Sequence, residues 1–356
     1  EKPKLGESII EAVVLDCPDL VKEYLVLRQA FDKGKMDLIL PDNWENQPYQ
    51  MQFIRRILID YPEKLEGKRQ FLEVFFEGEP KDDYCAEIYS DLLFCVTVQL
   101  PKMREQAVGR LEKLYDEYQS NNDVRLAYAE SLVNLTVEQL LEAREQSVSK
   151  LATLYEQSNA NEEIAVEYAK GLMNLTVEQS LEAREQSVSK LATLYEQNNA
   201  NENVTVEYAK GLVNLMATQS LEACEENVSK LATLYEQSSA YGEIAVVYAS
   251  GLVNLTAKQP LKAREQSVSK LATLYEQSNA NEEIAVEYAK GLYNLTVEQS
   301  PEVCERGISK LATLYEQSNA NEEIAVEYAK GLVNYAFVQD SEQKVREILQ
   351  QSKTLL

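Results

Sequence analysis

Histidine is absent from this 356-residue chain. Its absence removes the commonest general base, the imidazole metal ligand and every Ser-His or Cys-His nucleophile pair. Basic residues are scarce as well: 35 Lys and Arg stand against 59 Asp and Glu, a formal charge of −24. Such a surface repels phosphate backbones and anionic headgroups, so neither nucleic acid nor a membrane is an expected partner. No run approaches the roughly 18 uninterrupted apolar residues of a membrane helix, and the first residues lack the basic-then-apolar plan of a signal peptide. The expected location is the cytoplasm, although the chain begins at Glu1 without a methionine, which leaves an upstream targeting segment open. The five cysteines, Cys17, Cys85, Cys95, Cys224 and Cys304, are odd in number and form no CxxC pair. Free thiols in a reducing compartment are therefore expected, not a disulfide or metal framework. With no Gly-rich phosphate loop, metal-ligand spacing or nucleophile motif, no catalytic residue, metal or cofactor is expected.

What the chain does have is a repeat. Leu-Ala-Thr-Leu-Tyr-Glu-Gln begins at Leu151, Leu191, Leu231, Leu271 and Leu311, forty residues apart each time, and a looser copy starts at Leu111. Tyr128, Tyr168, Tyr208, Tyr248, Tyr288 and Tyr328 share a second column, and the register reaches back over 82–99 through Glu87, Leu92 and Gln99. Seven first helices are expected, starting near residues 81, 121, 161, 201, 241, 281 and 321.

In the unit 161–200, Ile164, Tyr168, Leu172 and Leu175 recur at helical spacing. Ala165, Val166, Ala169 and Met173 widen that stripe, so this first helix must be covered on two sides. The second half sets Val188, Leu191, Leu194 and Tyr195 against Arg184, Glu185, Ser189, Lys190, Thr193 and Glu196, an amphipathic helix exposed on its outer side. Asn159 followed by Glu162 has the form of a capping box, repeated at Asn199, Asn279 and Asn319. Pro101 and Pro301 fall where the second helix begins, a position at which the missing donor costs nothing. Gly171, Gly211, Gly251, Gly291 and Gly331 sit mid-helix, each at a cost of about 1 kcal/mol against alanine, so close packing of neighbouring backbones is expected there. A hairpin cannot bury a two-sided helix alone, so the units must stack. The expected fold is all-α: a right-handed α-α superhelix, a solenoid of helical hairpins. Residues 1–80 form an N-terminal helical segment with helices at 7–15, 18–33, 46–60 and 64–77. Residues 81–340 form the seven-fold array, and 341–356 a C-terminal capping helix.

The junction Leu194-Tyr195-Glu196-Gln197-Asn198-Asn199-Ala200-Asn201, followed by an alanine-rich helix with Tyr208 and Gly211-Leu212, resembles the boundary between consecutive tetratricopeptide repeats. The resemblance spans about residues 81–340. It implies a superhelix whose first helices line a concave groove, and a protein-binding function. The chain departs from that pattern in its forty-residue period against the usual thirty-four or so, in lacking the closing proline, and in reading Gly-Leu for Leu-Gly. Sel1-like, HEAT and armadillo repeats stay open by length.

On the first helix, Glu163, Glu167, Lys170, Asn174 and Glu178 make one narrow polar stripe. Stacking sets equivalents side by side, about 10 Å apart. This gives an asparagine ladder, Asn134, Asn174, Asn214, Asn254, Asn294 and Asn334, beside a charged ladder of Glu167/Lys170, Glu207/Lys210, Glu287/Lys290 and Glu327/Lys330. These are the candidate partner-binding residues, because carboxamides in a groove can satisfy the backbone of an extended peptide or receive a docked helix. A solvated stripe competes with that reading: recent duplication preserves columns without selection, and Glu167 with Lys170 is an ordinary i,i+3 pair. One unit breaks the pattern, with Val247 and Ser250 in place of the pair, Tyr241 and Gly242 in place of the cap, and Tyr293 nearby. The Asn-Leu-Thr triplets at Asn134, Asn174, Asn254 and Asn294 match a glycosylation acceptor but lie inside expected helices. Both tyrosine columns are expected to be core, with hydroxyls reaching the surface.

The expected function is a non-catalytic protein-interaction scaffold that binds a peptide or helical partner in the concave groove, without a cofactor. Basic partners are favoured, because the net charge speeds their encounter. Two alternatives stand beside it. One places an enzymatic or regulatory activity in residues 1–80, where Trp44, Glu45, Arg55, Arg56 and Asp60 form the polar cluster; the other is an acidic, immunity-type inhibitor of a basic protein.

Overall fold

The computed structural model describes residues 43–355 apart from short stretches at 61, 66–68, 139–140, 159–160, 178, 199–200, 238–241, 279–280, 298–299, 319–320 and 340, together with positions 29, 33 and 40. The helices expected at 7–15 and 18–33 lie outside the described residues, positions 29 and 33 excepted. A 3-10 turn at Trp44–Asn46 leads into α1 (Pro48–Asp60), a short α2 (Pro62–Leu65) and α3 (Arg69–Phe76). First helices follow as α4 (Asp83–Gln99), α6 (Asn122–Glu138), α8 (Glu162–Leu175), α10 (Glu202–Met216), α12 (Gly242–Thr256), α14 (Glu282–Thr296) and α16 (Glu322–Phe337). Between them run the second helices α5 (Arg104–Glu117), α7 (Leu141–Gln157), α9 (Leu181–Gln197), α11 (Leu221–Gln237), α13 (Leu261–Gln277) and α15 (Pro301–Gln317), and α17 (Glu342–Leu355) closes the series. No strand occurs among the described residues.

The chain divides into two compact units, Glu1–Gly171 and Leu172–Leu356. In the second, α10 packs on α12, α12 on α14 and α14 on α16, while α11, α13 and α15 each lie against the first helices before and after them. The second helices form no comparable row among the described residues; they meet through long side chains, such as Arg306 with Glu265 at 2.6 Å. The first helices are thus the tighter layer. Burial follows the sequence pattern: α14 buries Ile284, Ala285, Val286, Tyr288, Ala289, Gly291, Leu292, Leu295 and Thr296, whereas α13 buries only Ser267, Val268, Leu271 and Leu274. In the first unit, α4 packs on α6 with α5 against both, and α1 packs on α4. Trp44 is buried there, stacked on Phe75 at 5.4 Å and edge-on to Tyr89 at 5.6 Å.

Three local devices hold one repeat to the next. The cap is the second asparagine of each motif; Asn159 and its equivalents lie outside the described residues. Asn161, Asn201 and Asn281 accept from the main-chain N–H of Ile164, Val204 and Ile284 at 3.0, 3.2 and 3.1 Å. Glu162 therefore opens the helix, where its charge meets the positive end of the dipole. Next, the mid-helix glycines receive a leucine methyl from the preceding second helix, not a neighbouring backbone as the sequence suggested. A Cβ on Gly251 or Gly291 would lie 2.5 Å from Cδ1 of Leu231 or Leu271. Finally, a tyrosine closing each second helix meets the tyrosine of the following first helix, as in Tyr195 with Tyr208 (centroids 5.4 Å) and Tyr235 with Tyr248 (5.7 Å). The outer ring's hydroxyl reaches on to the next unit, Tyr195 Oη donating to Gln237 Oε1 at 3.1 Å.

Candidate functional site: the first-helix row

The charged ladder assembles in an unexpected form. Glu167 and Lys170 meet at 2.6 Å, Glu207 and Lys210 at 3.1 Å, Glu287 and Lys290 at 2.7 Å, and Glu327 and Lys330 at 2.7 Å. The carboxylates are sunk, their side chains 7–13% exposed, and the lysines over them are 35–52% exposed. Each pair is thus an ammonium lid on a buried anion, and its two charges cancel, so the pairs leave the acidic balance of the chain unchanged. Lys210 also bonds Glu243 on the next first helix at 2.8 Å. Burial works against its charge, but the bond to Glu243 and the nearby Glu207 outweigh it and hold the Lys210 pKa above the ordinary lysine value. In the first unit Glu130 occupies the lysine column, and burial followed by the charge of Glu167 pushes its pKa up.

The asparagine ladder is largely engaged within the fold. Asn214 Nδ2 donates to Thr176 Oγ1 at 2.9 Å, Asn294 to Thr256 at 2.8 Å and Asn334 to Thr296 at 3.1 Å; in the first unit Asn134 donates to Thr97 at 3.0 Å. Each threonine hydroxyl passes its own proton to a carbonyl one turn back, Thr256 to Val253 and Thr296 to Tyr293, both at 2.7 Å. An amide-hydroxyl-carbonyl relay therefore ties consecutive first helices, which gives the Asn-Leu-Thr triplets a structural role inside helices. Asn254 is the exception. The residue preceding it in the threonine column is Met216, which offers no acceptor there, and the half-buried Asn254 side chain makes no hydrogen bond among the described residues.

A second tie was not anticipated. Arg184 and Arg264 donate to the carbonyls of Asn214 (3.2 Å) and Asn294 (2.7 Å) on the next first helix, and to Gln179 (2.9 Å) and Gln259 (3.0 Å) in their own hairpins. Arg104 does the same in the first unit, with Asn134 and Thr97. Cys224 stands in this column as a free, buried thiol donating to the Met216 carbonyl at 3.3 Å. There Lys258 substitutes from the opposite side, its ammonium donating to the carbonyls of Met216 (2.7 Å), Gln219 (2.7 Å) and Ala217 (3.4 Å). The signal was present in the sequence: a lysine appears at 258, where other copies carry Glu138, Glu178, Thr218, Glu298 or Val338, in the repeat after Cys224; the repeat after Cys304, which also lacks the arginine, has Val338 instead.

These ties define stacked helices, and of the comparisons with known proteins one bears on the fold. No family model matches the chain, and no curated protein does. Its backbone is similar to the crystal structure of an engineered protein, with a TM-score of 0.58 and 18% identity over 95% of this chain and 93% of that one. At that identity the likeness speaks for the fold alone. The chain is a helical repeat protein.

The remaining candidates scatter. Of the cluster before residue 81, Trp44 is core, Arg55 pairs with Asp91 on α4 at 2.5 Å, and Glu45 accepts from Asn46; the Asp60 side chain lies outside the described residues. Among the described residues no group of three or more His, Cys, Asp or Glu is placed to hold a metal, and no helix is long and apolar enough to cross a membrane. Val247 is buried, Ser250 half-buried, and Tyr293 lies under the Lys330 ammonium at 5.9 Å; Tyr241 is outside the described residues.

Proposed function

We propose that this chain is a non-catalytic, cytoplasmic interaction scaffold of the tetratricopeptide-like class that binds a protein or peptide on its first-helix row. The observation that carries the reading is the row itself. Lys210, Lys290 and Lys330 stand at equivalent positions on α10, α14 and α16 of the packed first-helix series, each held by a sunk carboxylate. A lattice of side chains fixed before the partner arrives loses little conformational entropy on binding. Hairpin alternation and the Tyr-to-Tyr junctions support the class, and the forty-residue period makes it a long variant. The net charge of −24 favours a partner whose own charge is positive, with an encounter rate that falls as salt rises.

The chain itself supplies a conservative test variant, since α12 folds with Val247 and Ser250 in the pair positions. Installing that pair elsewhere, as Glu207→Val/Lys210→Ser, Glu287→Val/Lys290→Ser and Glu327→Val/Lys330→Ser, erases the ladder in a form that the fold already accommodates. A partner recovered by affinity capture and titrated against this variant should bind at least about tenfold more weakly, a change of roughly 1.4 kcal/mol. Equal affinity would remove the first-helix row from consideration.

A further inference from the structure

The first-helix row of the second unit is interrupted at α12, and everything missing there is missing from one face. Val247 and Ser250 replace the ion pair carried by α10, α14 and α16. Met216 replaces the threonine that would have engaged Asn254, so among the described residues this carboxamide keeps its donors and its acceptor unused. The face of α12 reads Val246, Ser250, Val253 and Asn254, all half-buried, with Val247 buried at its edge and Ala257 just beyond its end: apolar except for one hydroxyl and one amide. Charges rim it, with Glu207 and Lys210 on one side, Glu287 and Lys290 on the other, and Glu243 at its N-terminal end. An apolar floor within a polar rim is the anatomy of an interface core.

Hydrogen-bond chemistry selects the occupant. A docked helix has already spent its main-chain N–H and C=O groups on itself and offers only side chains. Asn254 presents a donor and an acceptor side by side, the complement of one residue's C=O and N–H in an extended chain. Charge narrows the choice further: α10, α12 and α14 carry six carboxylates (Glu202, Glu207, Glu243, Glu282, Glu283, Glu287) against two ammonium groups (Lys210, Lys290), so 2 − 6 = −4. We infer that the α12 face binds an extended, basic segment of a partner protein. One main-chain residue of that segment pairs with Asn254, an apolar side chain lies on the half-buried Val246 and Val253, and a neighbouring Lys or Arg points toward Glu243. This assignment rests on the scaffold reading and specifies which part of the row selects the partner.

The test uses the full chain and two phage-displayed libraries as probes, one of random linear 12-residue peptides and one of helical miniproteins with randomised surfaces. Two variants keep the fold: Asn254→Ala removes a side chain that bonds nothing, and Val247→Glu/Ser250→Lys installs the ion pair of the neighbouring repeats. Linear peptides should enrich, carry an apolar residue beside Lys or Arg, and lose about tenfold or more in affinity on both variants. They should lose it again when the main-chain nitrogen facing Asn254 is N-methylated. Linear peptides indifferent to both variants but weakened by the Lys→Ser changes at 210, 290 and 330 would overturn the α12 assignment and leave the scaffold reading standing. Enrichment of helical miniproteins alone would overturn the extended-segment assignment. No saturable binder from either library would overturn both.

Discussion

Replacing Asn294 with alanine should loosen the stack at the α12–α14 junction, and the size of the effect follows from the relay. The variant deletes the 2.8 Å bond to Thr256 Oγ1. Thr256 is fully buried and already donates its proton to the Val253 carbonyl, so the lost bond leaves an acceptor lone pair facing the core. A neutral hydrogen bond contributes about 1 kcal/mol net, and an unfilled buried acceptor raises the loss to about 1–2 kcal/mol. Against this, alanine outranks asparagine as a helix former by roughly 0.5 kcal/mol. Asn254→Ala carries the same propensity gain with no bond to lose, so the difference between the two sites isolates the relay at about 1–2 kcal/mol. Thr256→Val should cost less than Asn294→Ala, because the half-buried Asn294 amide can turn to water. The two should couple by about 1 kcal/mol in a double-mutant cycle. Repeat arrays do not unfold as one two-state block, so amide hydrogen exchange in α12 and α14 is the appropriate reporter of junction opening. Equal effects at 254 and 294, or zero coupling between 256 and 294, would refute the relay as a tie between repeats.

Lys258→Met should destabilise the α10–α12 junction by about 1–2 kcal/mol through loss of its charge-assisted bonds, and adding Cys224→Arg should recover at least half, measured by urea unfolding of the single and double variants. Gly251→Ala should lower stability by about 1 kcal/mol, since overpacking of about 1–3 kcal/mol against Leu231 exceeds the helix-propensity gain. Gly109→Ala, with nothing within 4 Å of the new methyl, should instead gain about 0.5–1 kcal/mol, and thermal melts of the pair compare the two directly. Glu130 titrates above its ordinary value of 4.5, so its ionised form disfavours the fold and stability falls as pH rises through the interval from that value to the higher folded one. Glu130→Gln should therefore raise the melting temperature at pH 7 and lose that gain below about pH 4, where both states are protonated; a gain independent of pH would contradict it.

The helical hairpins were legible because the forty-residue period repeats two distinct burial patterns, one covered on two sides and one on a single side. First helices opening at Glu162, Glu202, Gly242, Glu282 and Glu322 lie one residue from the expected starts. The cap was displaced by two residues because Asn-Ala-Asn-Glu satisfies a capping pattern in either of two registers, and only hydrogen bonding distinguishes them. The asparagine ladder illustrates a deeper limit. Helical spacing places Asn294 on a face, but that face borders both solvent and the neighbouring helix, and periodicity does not separate the two. The distinguishing sign is a partner 38 residues earlier, present as Thr256 for Asn294 and missing as Met216 for Asn254. Residues before 81 follow the repeat register only weakly, so no column marked Trp44 as core, and it was grouped with Glu45, Arg55, Arg56 and Asp60 in a polar cluster.

The central claim is that a partner meets the first-helix row, and lysine reactivity addresses it most directly. Amine labelling of the full chain, free and saturated with its captured partner, compares Lys210, Lys290 and Lys330 on the first helices with Lys190, Lys230, Lys270 and Lys310 on the second. The account predicts protection of the first set with the second unchanged; protection of the second set with the first still reactive would contradict it.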